Sequence, residues 1–188
     1  MARNMEHGRA RRRNRWSLAI WGMAALLLLV PAVAMQFTSE VNWTASDFIV
    51  MGVMLSAACG AYELLARMTS NTSYRAAVGI AIATAFLTVW VNVAVGMLGS
   101  EDNPANLLFG GVLAVGLIGA VISRFRSQGM ACAMEAAAIT QAAMTLYALF
   151  GGHAEVVLHV GFFIIPWVLS GQLFRKAARE QVAAGTAD

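Results

Sequence analysis

The chain has 188 residues, of which 59% are hydrophobic and only 12% charged, with a mean hydropathy of +0.66. Soluble domains use about 45–50% apolar and about 25% charged residues, so a soluble fold of this size is excluded and an integral membrane protein is implied. The pI near 9.3 does not point to nucleic acid. Six of the thirteen Lys and Arg crowd into the first fifteen residues, directly before an apolar run, which is the pattern of a cytoplasmic membrane anchor.

A hydrocarbon core about 30 Å thick needs about 20 helical residues. After the basic tail 1–15, six runs meet that length: 16–35, 47–68, 74–98, 104–123, 129–150 and 154–174, followed by a second tail, 175–188. The predicted fold is all-α, a polytopic bundle of six transmembrane helices in residues 16–174. The second span opens on Thr44-Ala45-Ser46-Asp47, a capping-box pattern. The sixth contains Pro166, which should bend it or call for a polar group at the freed carbonyl.

Charge sets the orientation. With the N-terminus inside, the inner segments hold all thirteen Lys and Arg, the last seven being Arg67, Arg75, Arg124, Arg126, Arg175, Lys176 and Arg179. The outer loops hold Glu40, Asp47, Glu101, Asp102 and Glu155 and no base. Such a split predicts both termini in the cytoplasm and an even number of spans. Trp16, Trp43 and Trp167 read as rings at or near the interfaces. The basic start, apolar run and Ala32-Val33-Ala34 also match a secretory signal, although the run exceeds the usual core of about 7–15 residues. Cleavage there would leave five spans in the same orientation. Cys59 and Cys132 fall in apolar runs and read as small, reduced, buried residues.

Between the third and fourth runs stands Ser100-Glu101-Asp102-Asn103-Pro104-Ala105-Asn106. Asn-Pro-Ala is the pore tripeptide of water channels, but those need two copies on half-helices. Here there is one copy, the run behind it is long enough to cross the membrane, and Asn106 stands where an arginine is usual. The residues suit a helix start instead: Asn103 as cap, Pro104 in the first turn, and Glu101 and Asp102 near the positive helix end. The wider stretch V-G-M-L-G-S-E-D-N-P-A-N-L-L-F-G-G-V-L-A-V-G-L-I-G-A, within about residues 40–130, resembles a family of small bacterial multi-pass inner-membrane proteins that has no assigned activity. The resemblance implies a bacterial inner membrane and transfers no functional residue.

Polar groups at membrane depth are functional candidates by default. Glu63 is four residues before Arg67, on one helix face, which predicts a local ion pair. Glu135 has no base three or four positions away, and Arg67, Arg75 and Arg124 are its candidate partners on neighbouring helices. Gln141, with Thr140 and Thr145, stands near mid-depth, where such an amide bonds another helix. Glu135, Gln141, Glu63 and Asn92 are the candidate lining of a polar path. Glu155 and His159, at i and i+4, are the candidate metal ligands; two are too few, and Asp102 or Asn92 would have to complete the site. His7, His153 and His159 cannot place two histidines on facing helices for a haem.

No P-loop, G-x-S-x-G or H-E-x-x-H occurs, and Ser170 and His159 are expected at opposite depths. No catalytic residue or cofactor is assigned, and the chain is expected not to be an enzyme. Gly116 with Ala120 and Gly119 with Ser123 form two small-x-x-x-small pairs, which predict that span four is central or contacts a second copy. The first functional reading is a non-enzymatic accessory or assembly subunit of a membrane complex. The second is a small solute or ion transporter using intramembrane carboxylates, and the third an intramembrane metal or cofactor carrier. The partners expected are the lipid bilayer, a second copy or a membrane complex, and not nucleic acid.

Overall fold

A computed structural model of the chain describes residues 2–98, 100, 102–152 and 156–186, with residues 2–15 as backbone alone. The described residues are helical and contain no strand. In chain order they form α1 (Ala2–Ala34), α2 (Ala45–Arg67), α3 (Thr72–Ala94), a 3-10 turn (Pro104–Leu108), α4 (Phe109–Ile122), α5 (Ser127–Phe150), α6 (Val157–Phe162) and α7 (Ile164–Gly185). Six stretches are long and apolar enough to cross a membrane: Trp16–Ala34, Ala45–Arg67, Thr72–Ala94, Pro104–Ile122, Ser127–Phe150 and Val157–Gly185. They are the spans of an all-α, multi-pass membrane protein.

The boundaries differ from the sequence reading in four places. The backbone of residues 2–15 is helical and continuous with the first span, in a stretch where the good helix formers Ala, Arg, Met and Glu outnumber Asn, His and Gly. The third helix ends at Ala94 and not near residue 98, because Gly96 turns the chain at a φ of 73°. The fourth opens as a tighter 3-10 turn before α4. The sixth is broken at Phe163 and then continues to Gly185. Pro166 has no N–H for the Phe162 carbonyl and its ring crowds that oxygen, which accounts for the break. Residues after 174 are good helix formers, and Lys176 Nζ lies 3.8 Å from Glu180 Oε1 one turn on.

The chain divides into two compact units, Met1–Leu64 and Leu65–Asp188. In the first, α1 and α2 meet through small and polar groups. Gly52 gives room to Leu28, whose Cδ2 stands 4.0 Å from where a Cβ would be. Ser17 Oγ and Trp21 Nε1 donate to the two carboxylate oxygens of Glu63, at 2.7 and 3.1 Å. At the start of α2, the Thr44 N–H donates to Asp47 Oδ2 at 2.7 Å, half of a capping box.

In the second unit α5 is central, packed against α4, α6 and α7, while α7 also packs on α3. Of the two places expected for span four, the central one is taken by α5: within this unit α4 is a flank, and its Gly116 and Gly119 face α5. A Cβ on Gly119 would stand 2.7 Å from Ala133 Cβ, and one on Gly116 3.7 Å from Ala137 Cβ. Gly129 at the start of α5 is tighter still, 2.2 Å from Ser123 Cβ. Lipid is as apolar as leucine, so helices join in a membrane where small residues let backbones approach. One end of this unit is an apolar cluster of Met97, Leu98, Phe109, Ala148, Val160 and Phe163. The other end carries the α4–α5 turn and its arginines.

Candidate functional site

The deep polar groups of the second unit lie along the α5–α7 seam. Glu135 Oε2 accepts from Arg175 Nη2. The expected partners Arg67, Arg75 and Arg124 are therefore replaced by a base assigned to the tail, because α7 continues as a helix past residue 174. Gly171 makes the approach fit: a Cβ there would meet Glu135 Cγ at 3.2 Å. One turn on, Arg175 reaches the carboxylate. Glu135 remains 26% exposed and Arg175 52%, so the pair stands at the edge of the seam.

Gln141 is fully buried and its Nε2 donates to the Val160 carbonyl at 2.9 Å. In an unbroken helix that carbonyl would accept from residue 164; here it lies in the turn before the break at Phe163. An α5 amide thus supports the interrupted sixth span. Ser170 Oγ, also fully buried, donates to the Ala77 carbonyl of α3 at 2.9 Å. Thr140 and Thr145 donate back to their own helix, to Ala136 and Gln141 carbonyls, each at 2.9 Å. Three buried polar atoms of the seam have no hydrogen-bond partner among the described residues: Glu135 Oε1, Gln141 Oε1 and Trp167 Nε1. Trp167 is 3% exposed, packed in the protein core.

At the apolar end, the 98–106 loop is held by its own asparagines. Asn106 Oδ1 accepts from the Leu98 N–H at 2.9 Å, and its Nδ2 donates to the Ser100 carbonyl at 2.6 Å. Asn103 Oδ1 accepts from the Ala105 N–H at 3.0 Å, the cap expected of it, with Pro104 in the first turn. Asn92 Nδ2 donates to the Asn106 carbonyl at 3.0 Å. Asn92 is thus a brace for this loop.

Within the second unit the polar-path candidates Glu135, Gln141 and Asn92 are not brought together. Glu135 and Gln141 make separate bonds on one helix, Asn92 braces the loop, and Glu63 bonds α1 within the first unit. Of the metal candidates, His159 is exposed on α6, and Glu155 lies outside the described residues. Among the described residues no three His, Cys, Asp or Glu groups could hold a metal ion together. Cys132 is exposed and Cys59 half-buried, both free thiols, in place of the buried positions expected. Cys132 points away from the seam because its neighbours Ala131 and Ala133 take the packed faces of α5.

The opposite end holds a feature that the sequence reading passed over. A groove of about 560 Å³ opens between the start of α3, the α4–α5 turn and the end of α7. The turn is a Schellman closure: the Phe125 N–H bonds the Ala120 carbonyl at 3.0 Å and the Arg124 N–H the Val121 carbonyl at 2.9 Å. Glycine is usual at such a position, yet Arg124 and Phe125 stand there with φ of 51° and 58°. Buried Tyr74 clamps the turn, its hydroxyl donating to the Phe125 carbonyl at 2.7 Å, and Ser127 Oγ donates to Gln181 Oε1 at 2.7 Å. Only the alternation of arginines in Ser123-Arg124-Phe125-Arg126 hinted at it. Compared with known proteins, the chain matches no protein-family model, no curated protein and no solved structure.

Proposed function

We propose that the chain is an integral protein of a bacterial cytoplasmic membrane, with both termini inside, that serves as a non-enzymatic accessory or assembly subunit of a membrane complex. The carrying observation is how the deep polar groups are used. Glu135 pairs with Arg175, and Gln141, Ser170 and Asn92 donate to backbone carbonyls of other segments. Such bonds hold helices in register. A solute path would instead need groups turned towards a common aqueous lining. The one-sided distribution of Lys and Arg along the chain supports the orientation.

The test is the composition of the particle taken from native membranes in mild detergent. A second protein at constant stoichiometry is the expected result. The chain alone, or bound only to copies of itself, would overturn the accessory reading.

One observation favours transport as a second reading. Glu135 carries a buried carboxylate oxygen with no partner among the described residues, an acceptor left over for a transported ion or solute. This reading requires that Glu135→Gln abolish an ion or solute flux in reconstituted vesicles while leaving the fold intact. Unchanged flux removes it.

A further inference from the structure

The groove at the α4–α5 turn has no part in the accessory reading, and its chemistry is of one kind. It is lined by the clamped turn with Tyr74, Ser127 and Gln181, and by Arg124 and Arg126, both exposed. Neither arginine has a carboxylate partner among the described residues, whereas Arg175 pairs with Glu135 and Lys176 with Glu180. No Asp or Glu lines the groove. Tyr74 and Ser127 donate their hydroxyl protons within the protein. The donors left for a ligand are the two guanidinium groups two residues apart, with the Thr69 hydroxyl and the Gln181 amide nitrogen beside them, a set that favours a compact anion with several acceptor oxygens. The groove of about 560 Å³ has room for a phosphate group.

Position and backbone narrow this further. The groove lies where α3 and α5 begin and α4 ends, so it faces the level of a membrane surface. Met68, Phe125 and Val182 add an apolar side to it. Basic pockets between helix ends at that level suit anionic phospholipid headgroups. The turn also holds Arg124 in a left-handed conformation that costs a non-glycine residue about 1–2 kcal/mol. Glycine would serve the fold better there, but it carries no guanidinium.

We propose that this groove binds a phosphate group through Arg124 and Arg126, the source being the headgroup of an anionic phospholipid or a free phosphate. The full chain would be placed in nanodiscs of phosphatidylcholine alone, of phosphatidylcholine with phosphatidylglycerol, and of phosphatidylcholine with inorganic phosphate added. Thermal unfolding is read in each, and phosphatidylglycerol retained after mild-detergent extraction is counted by native mass spectrometry.

Wild-type protein should be stabilised by at least one of the two additions. Arg124→Gly with Arg126→Gln should weaken retention roughly thirtyfold, about fivefold for each arginine. Because Arg124→Gly relieves the positive φ, this variant should fold as well as the wild type in phosphatidylcholine alone. The double substitution Lys176→Gln, Arg179→Gln removes the same charge at the same end of the unit and should keep the response. Stabilisation by phosphatidylglycerol alone assigns the lipid as source; stabilisation by inorganic phosphate as well assigns the free anion. No stabilisation by either, or equal loss in the Lys176 and Arg179 control, overturns the site.

Discussion

Two spans of equal mean hydropathy, 2.2, behave differently. In Trp16–Ala34 only 11% of the apolar window is buried, and in Pro104–Ile122 28% is. The least apolar span, Ser127–Phe150 at 1.2, is among the most buried at 33%. In water the order would run the other way, because burial follows apolar surface. In a bilayer the Leu26-Leu27-Leu28-Leu29-Val30 run is as well solvated by lipid as by protein, so it gains little from packing. Gly116 and Gly119 on α4 and the alanines at 131, 133, 137 and 138 on α5 bring backbones close, and there dispersion contacts accumulate. Hydropathy tells which segments enter the membrane; small residues tell which of them join.

The contrast is sharpest at Gly119. Its Cβ position is 2.7 Å from Ala133 Cβ and 3.2 Å from Ala133 Cα, a backbone atom that cannot rotate away. Gly119→Leu should force α4 from α5 and destabilise the second unit by about 3 kcal/mol or more. Leu26→Ala, on the exposed face of α1, should change stability by less than about 0.5 kcal/mol. Unfolding of both variants by added SDS, followed by helical circular dichroism, checks the pair. Similar losses in the two would mean that apolar bulk matters in α1 as it does in a soluble core.

Gln141→Leu comes next. It keeps the volume, removes the donor to the Val160 carbonyl and also removes the unpartnered Oε1. The expected loss is about 1 kcal/mol, within the span measured for hydrogen bonds between membrane helices. Faster amide exchange confined to α6 and the start of α7 would mark the break at Phe163 as the weakened place. A stabilised variant would mean that the cost of burying Oε1 exceeds the worth of the bond.

The spans, the cap at Asn103 and a disturbance at Pro166 were legible because each rests on local chemistry: run length, a side chain two residues from an N–H, a missing donor. Partners were not. Spacing offers only the loop arginines as bases near Glu135, and hydropathy ends span six at residue 174. Arg175 became its partner only because α7 continues in helical register beyond that point and Gly171 faces Glu135. The Schellman turn was hidden for a different reason: glycine is its usual signal, and Arg124 and Phe125 occupy the left-handed positions instead. Glu63 shows the same limit within the first unit. Arg67 was visible at i+4, but nothing in spacing gives the register that sets Ser17 and Trp21 against the carboxylate.

A smaller effect than at Gly119 or Gln141 belongs to the Glu135–Arg175 pair, though it looks like the strongest bond in the seam. Both side chains are partly exposed at the edge of the seam, and two long side chains must be ordered to make the pair. A double-mutant cycle of Glu135→Gln and Arg175→Gln should give a coupling of about 0.5–1 kcal/mol, below the effect of Gly119→Leu. Glu135→Gln alone should be milder than Glu135→Leu, since the amide still offers an oxygen to Arg175 and fits beside Gly171. The cycle, run by SDS unfolding at low and high salt, should show the coupling fall as salt rises. A coupling that stays large and salt-independent would place the pair in a drier setting than its exposure indicates.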